Sequence, residues 1–315
     1  MRVPFTDAQS ALGFVIEQGR NIEAKVYALR YPDFNYGRHV TVITEGAPWA
    51  TGTIFFTTDT VGKANWLSGS STDMPFNELL RSKYSRDFYM LGSGWEWNLE
   101  EINQAYLYNI NLSDDKGRGT RRTVEQFLYN VAISGSTEKN ITGLINSAEV
   151  ARVTVPADGV GASTLWSTKT AAQRYRDVND QLSAVSTSTN EVEMASALRL
   201  TPTAFRQMAS TSTGQGDGTL TQLEFFRRNN VYTATTGNDL DIMPLRSLVG
   251  AGLGGLDRGM VYRKEEEVVR FHLPMPFQMV APRQKSLMGY EAGGIARTGG
   301  TEWRLPGAAE YFDGM

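Results

Sequence analysis

The sequence predicts an α+β fold, and three observations carry the prediction. Helical periodicity is confined to a few separated blocks, strand-like segments fill most of the remainder, and the strands are not separated by regular helices. The third observation argues against a doubly wound parallel sheet, which needs a crossover helix between successive strands. The 315 residues can hold one large or two modest cores, since a chain of this size buries roughly 75% of its unfolded surface. With 41% hydrophobic and 21% charged residues the composition is that of a globular protein, and 31 glycines point to many turns and strand ends.

Taken in chain order, residues 40–44 and 53–58 read as strands. Asn98 as N-cap, Glu101 three residues on, and the stripe Leu99, Ile102, Tyr106, Ile110 predict a short helix. A longer helix is expected over 113–134, ending at Gly135. Asp114 and Asp115 suit its positive first turn, and Val124, Phe127, Leu128, Val131 and Ala132 keep helical spacing. Gly117 and Gly119 weaken it by about 1 kcal/mol each relative to alanine. A third helix fits 170–184 on the stripe Ala171, Tyr175, Val178, Leu182, Val185. Thr201-Pro202 opens a fourth, and Thr219 with Gln222 makes a capping box ahead of Leu220, Leu223 and Phe226. Further strands are expected at 150–155, 197–200, 231–234 and 268–273.

Residues 46–97 have strand-like ends, little helical periodicity, and exposed-looking aromatics at Phe55, Phe56, Trp66, Phe88, Tyr89 and Trp95. Laid out as a hairpin, limbs of ~25 residues reach up to ~80 Å, against a radius of gyration near ~20 Å for a compact domain of this size. An aromatic projection of that kind is an aggregation hazard unless it lies on a neighbouring copy. Folding back as an ordinary sheet is an equally good account of the residues alone.

The absence of cysteine removes disulfides, thiolate catalysis and Cys-based metal sites together. Two histidines, His39 and His272, leave little for a triad or a metal centre. Gly250, Gly252 and Gly255 satisfy G-x-G-x-x-G, but no amphipathic helix follows, so a dinucleotide site is not expected and the glycines read as backbone freedom. Asp239 and Asp241, and the run 265–267, show no convergence; the run reads as a charged turn. A net charge of −3 argues against a dedicated nucleic-acid binder. The basic runs at 81–86 and 118–122 read equally as solvated faces. No apolar run approaches the ~20 residues that span a bilayer, and no signal-peptide core is present. No catalytic residue, cofactor, metal or membrane contact is expected.

Several stretches in order are similar to a family of tailed-bacteriophage major capsid proteins: YPDFNY at 31–36, VTVITEG at 40–46, TIFFTTDTVGKANWLSG at 53–69, GLIN at 143–146, LPMPFQMVAPR at 273–283 and GGTEWRLPGAAEYFDG at 299–314. The resemblance covers nearly the whole chain. It implies the Johnson fold, shared with herpesvirus shells and bacterial encapsulins, with an N-terminal arm (1–44), an extended loop (45–97) and a peripheral domain (98–159) containing a spine helix at about 113–134. An axial domain (160–259) and a return to the peripheral domain (260–315) complete it, the return supplying long strands that pack on the spine helix.

The implied function is structural: pentamers and hexamers closing into an icosahedral head around double-stranded DNA, touched nonspecifically. The implied partners are the subunit itself, a portal protein, a scaffolding protein and a possible decoration protein. Many relatives carry a scaffolding segment that is cut away; a chain starting at Met1 leaves no room for one and implies a separate scaffold or prior trimming. The expected location is the virion capsid, after synthesis in the bacterial cytoplasm. Candidate contacts between copies are Phe55, Phe56, Lys63, Trp66, Arg81, Lys83, Arg86, Gly250, Gly252 and Gly255. Some relatives crosslink a loop lysine to a neighbour's asparagine, but neither Lys63 nor Lys83 falls in such a motif. The alternatives are an encapsulin-type compartment and, from another class, a soluble enzyme or binding module with a glycine-rich site and a ligand pocket.

Overall fold

The structure is a computed structural model that describes residues 34–66, 76–108, 112–213 and 220–315. Strand β1 (Thr41–Ile43) precedes a long hairpin of β2 (Gly52–Val61) and β3 (Glu78–Asp87), followed by β4 (Tyr89–Asn98). Helix α1 (Leu99–Tyr108) begins as expected, with the Asn98 backbone N–H donating to the Glu101 carboxylate. Helix α2 (Leu112–Ser134) buries Val124, Leu128, Val131 and Ala132, while Phe127, on the flank of that stripe, remains 49% exposed. Next come β5 (Ala151–Thr154) and α3 (Ala171–Ser188), the latter opened by a full capping box between Thr170 and Gln173.

Strand β6 (Ala197–Leu200) leads into α4 (Pro202–Ser210), α5 (Gln222–Arg228) and α6 (Val231–Thr236). One expectation fails here. Residues 231–234 are helical rather than extended: Asn230 caps them by accepting from the Thr233 N–H at 2.8 Å, and Gly237 ends the turn at φ +73°. Local capping outweighs the β-propensity of valine and threonine in so short a run. Thr219 lies outside the described residues, and the N-cap of α5 is Thr221, accepting from Glu224. The chain finishes with β7 (Asp241–Pro244), β8 (Arg258–Tyr262), β9 (Val269–His272), β10 (Met275–Gln284), β11 (Gly289–Thr298), β12 (Gly300–Trp303) and β13 (Ala309–Asp313).

Four sheets result among the described residues, ordered β1-β9-β12, β10-β11-β4, β5-β13-β8-β6-β7 and β2-β3. The three inner strands of the five-stranded sheet, β13, β8 and β6, are buried at every residue because both faces are covered there, while the edge strand β5 is exposed along its length. Met260, Tyr262, Ala309 and Tyr311 point to one core, with Leu128, Val131 and Ile133 of α2 and with Phe271. The alternate residues Val261, Phe312, Leu198 and Ile242 point to the other, with Val178, Leu182 and Val185 of α3 and with Trp166. The sheet is therefore the wall between two hydrophobic cores. Helix α2 also lies against β4, β11 and β12.

Buried charges tie distant segments to this wall. Arg258 grips Asp313 with two bonds of 2.7 and 2.9 Å and donates to the Ile145 carbonyl at 2.7 Å. Arg199, fully buried, bonds Asp241 at 2.6 Å and donates to the Arg38 carbonyl and to His39 Nδ1. These bonds fix residues 38–39 against β6. Burial, followed by the Arg199 charge, pushes the pKa of His39 down to about 4, so His39 is a neutral structural acceptor.

Candidate assembly surfaces

The β2–β3 hairpin has ten residue pairs, from Gly52 opposite Asp87 to Val61 opposite Glu78, and it forms a sheet of its own. At about 3.4 Å per residue the ladder runs roughly 30 Å. Its side chains are exposed on both faces for most of that length, which is why β3 carries no alternation to read from sequence. Phe56 is 64% exposed, Trp66 is 104% exposed, and Phe76, Leu79 and Leu80 are also open to solvent. A two-stranded ribbon without a covered face is marginal in water. An apolar ribbon of this kind gains stability by lying on another surface.

The structure divides the sequence candidates into three groups. Phe56, Lys63, Trp66, Arg81 and Lys83 are exposed on the hairpin or just past it, with Phe56 opposite Lys83 and Thr58 opposite Arg81. Residues 67–75 lie outside the described residues. Phe55 and Arg86 are at the base instead and are half-buried. Phe55 stacks on Tyr84 at 5.3 Å and receives the Arg304 guanidinium over its ring at 4.1 Å. Arg86 donates to the carbonyls of Gly299 at 3.0 Å and Thr301 at 2.5 Å.

Three aromatics of the 46–97 segment do not project. Phe88 is buried beside His272, and Tyr89 and Trp95 are half-buried on β4. The reason is that β4 leaves the hairpin and pairs along its whole length with β11, from Tyr89 opposite Thr298 to Asn98 opposite Gly289. The projecting element is thus shorter than the segment read as uncovered from sequence.

Gly250, Gly252 and Gly255 form the third group, in a loop before β8. Gly250 and Gly255 have φ of +67° and +80°, and Gly252 has no such need, yet a Cβ there meets the Leu256 carbonyl oxygen at 2.7 Å and Asp313 Cγ at 2.9 Å. The loop is anchored by its own chain. Gly250 N–H donates to Asp257 at 3.0 Å and Leu253 N–H to Asp313 at 2.9 Å. Sequence reasoning read the backbone freedom of Gly250 and Gly255 but not the distant Asp313 carboxylate that crowds Gly252.

The groups considered for chemistry are engaged elsewhere. His272 bonds Glu302 at 2.7 Å, Asp241 pairs with Arg199, Glu265 with Arg263 and Glu266 with Arg270. No cluster of metal-ligating side chains occurs among the described residues, and no helix there is long and apolar enough to cross a membrane. An apolar cavity of about 240 Å³ between α3, α4 and α5 is lined by Ala171, Tyr175, Met208, Gln222, Phe225 and Phe226. Among the described residues it is lined by no carboxylate, histidine or lysine.

Comparison with known proteins agrees with this architecture. A sequence profile described as Major capsid protein matches residues 62–315. Among solved structures, the capsid of Myoviridae phage XM1 superposes with a TM-score of 0.77 at 15% identity, covering 95% of this chain and 98% of that one. A chain of Mycobacterium phage Bobi gives 0.62 at 12% identity, covering 97% and 98%. The capsid of an empty GTA particle gives 0.58 at 9% identity, covering 99% of each. A search of curated sequences returned no significant match. Matches to phage capsids do not favour the encapsulin alternative. With the profile spanning most of the chain and the fold shared end to end with phage capsids, the protein belongs to the major capsid protein family and is a structural subunit of a viral head shell.

Proposed function

We propose that the β2–β3 hairpin is the extended loop with which each subunit reaches a neighbour, and that the candidates exposed along it, Phe56, Lys63, Trp66, Arg81 and Lys83, contact that neighbour. One observation carries the reading: a two-faced ribbon with Ile54, Phe56, Val61, Leu79 and Leu80 exposed stands as a separate sheet with no cover from its own chain along most of its length among the described residues. Residues 1–44 serve as the arm and residues 45–97 as the loop, with the β2–β3 hairpin its projecting part. The segments 98–159 and 260–315 make the peripheral domain around α2 as spine helix, and residues 160–259 make the axial domain. Contacts of this kind are heterologous, and they close into pentamers and hexamers when the rotation between copies closes.

The remaining roles follow from the container. An acidic subunit encloses double-stranded DNA without gripping it. The subunit is made in the host cytoplasm and meets a scaffolding protein, a portal ring and a decoration protein. No catalytic step belongs to this role. Deleting residues 65–76 tests the central claim. The expected result is a subunit with an unchanged thermal melt that yields no stable shells by electron microscopy and sizing chromatography. Normal shells from that variant overturn the assignment.

A further inference from the structure

The hairpin meets its own subunit through a small set of contacts at one end. The chain bends between β11 and β12 at Gly300, whose φ of +74° turns the carbonyls of Gly299 and Thr301 to the same guanidinium, that of Arg86 on β3. On the opposite strand, Phe55 lies under Arg304 at 4.1 Å. Arg304 is in turn held by Glu302 at 3.3 Å, and Glu302 by His272 Nε2 at 2.7 Å. His272 and Phe88 are neighbours at 5.8 Å, and Phe88 N–H donates to the Thr51 carbonyl at 2.8 Å, at the start of the hairpin.

The contacts thus form a closed circuit. They run from β3 to the β11–β12 bend, through a buried histidine–carboxylate–arginine line, and back to β2. Burial pushes the Glu302 carboxyl up, but the bonds from His272 and Arg304 outweigh it and leave it below the usual carboxylate range, so it stays ionised to orient Arg304. Beneath the circuit a cleft of about 450 Å³ separates the hairpin from residues 147–149 and Pro306. The base is therefore joined by directed bonds across an open space rather than by continuous packing. Such a joint sets an angle and can be loosened without disturbing either core.

We propose that Arg86 and Arg304 are positioning residues of a latch that fixes the direction in which the hairpin leaves the subunit before any neighbour is met. This rests on the reading of the hairpin as the element that reaches the neighbour. A pre-aimed ribbon loses less conformational freedom on docking, so the latch strengthens assembly without adding a contact between copies. Cation–π and charge-assisted bonds suit this task, because both fix geometry as well as attraction.

The chain has no cysteine, so two introduced thiols are unique labelling sites. Spin labels at Asp59→Cys on β2 and Asp180→Cys on α3 report the hairpin direction in the unassembled subunit by pulsed dipolar distance measurement. Arg86→Ala, Phe55→Leu and their combination are then compared with the parent. Phe55→Leu keeps both cores intact and serves where Arg86→Ala does not fold. The expected result is a distance distribution roughly twofold broader, with the critical concentration for assembly of unlabelled variants raised roughly tenfold, equivalent to about 1.4 kcal/mol per subunit.

An unchanged distance distribution overturns the latch, as does a broadened one with unchanged assembly. The deletion of residues 65–76 separates the two claims. If the deletion blocks shells while the latch variants behave as the parent, the latch alone fails. If the deleted protein forms normal shells, the reading of the hairpin fails first.

Discussion

Glu310 lies on β13, in register with Ala151 of β5 on one side and Val261 of β8 on the other, and is only 7% exposed. Its Oε2 has no hydrogen-bond partner among the described residues, and burial alone pushes its pKa up to about 7. In the unfolded chain the same group ionises near 4.5. Between those values the folded subunit holds a proton that the unfolded chain has lost. Stability is accordingly greatest below about pH 4.5 with respect to this group, falls as pH rises toward about 7, and is level above it.

At about 1.36 kcal/mol for each tenfold change in proton affinity, the full loss is roughly 3 kcal/mol, and partial access of water brings it to roughly 2–3 kcal/mol. Glu310→Gln keeps the shape and removes the ionisation. Urea unfolding of the unassembled subunit at pH 5 and pH 8 measures the effect. The variant should exceed the parent by roughly 2–3 kcal/mol at pH 8 and differ little at pH 5. An equal difference at both pH values refutes the reasoning, because it shows that proton binding at Glu310 is not what changes.

Three further outcomes are expected. Gly119→Ala should raise stability by about 1 kcal/mol, because no heavy atom lies within 4 Å of the added methyl; Gly117→Ala should gain less, because its methyl meets Met279 Cε at 2.8 Å, and paired thermal melts decide between them. Gly252→Val should lower the stability of the unassembled subunit by about 1–3 kcal/mol through overpacking against Leu256 and Asp313; a parental melting temperature with failed shells would place the crowding between copies instead. Arg258→Ala should cost about 3–5 kcal/mol by stranding Asp313, read as a lower urea midpoint at neutral pH. Burial raises the Asp313 carboxyl, but its bonds to Arg258 and Leu253 outweigh this and hold it low, so its contribution is present at neutral pH and lost as pH falls through that lowered value.

Of the candidate site, the exposed half was legible. Phe56, Trp66, Arg81 and Lys83 stand in a segment without helical period, and all four are exposed. The other half was not. Arg86 reads as one more surface cation in a basic run, and its partners are carbonyls 213 and 215 residues away. Gly252 reads as a flexible turn, and the reason for it is the carboxylate of Asp313. Phe88 and Trp95 look like more of the same aromatic projection until β4 is seen to pair with β11.

The amino-acid sequence by itself determined the α+β class, the long helix α2, the capped starts of α3 and α4, and the short apolar strands, because caps and periodicity act between residues a few positions apart. Local caps at Asn230 and Gly237 make residues 231–236 helical, whereas tertiary structure alone decided that one sheet divides two cores and that the glycine-rich strand β11 pairs with β10 and β4. It also decided where the hairpin is fastened. These outcomes depend on partners brought together from distant parts of the chain, and no local pattern records the free energy of burying them together.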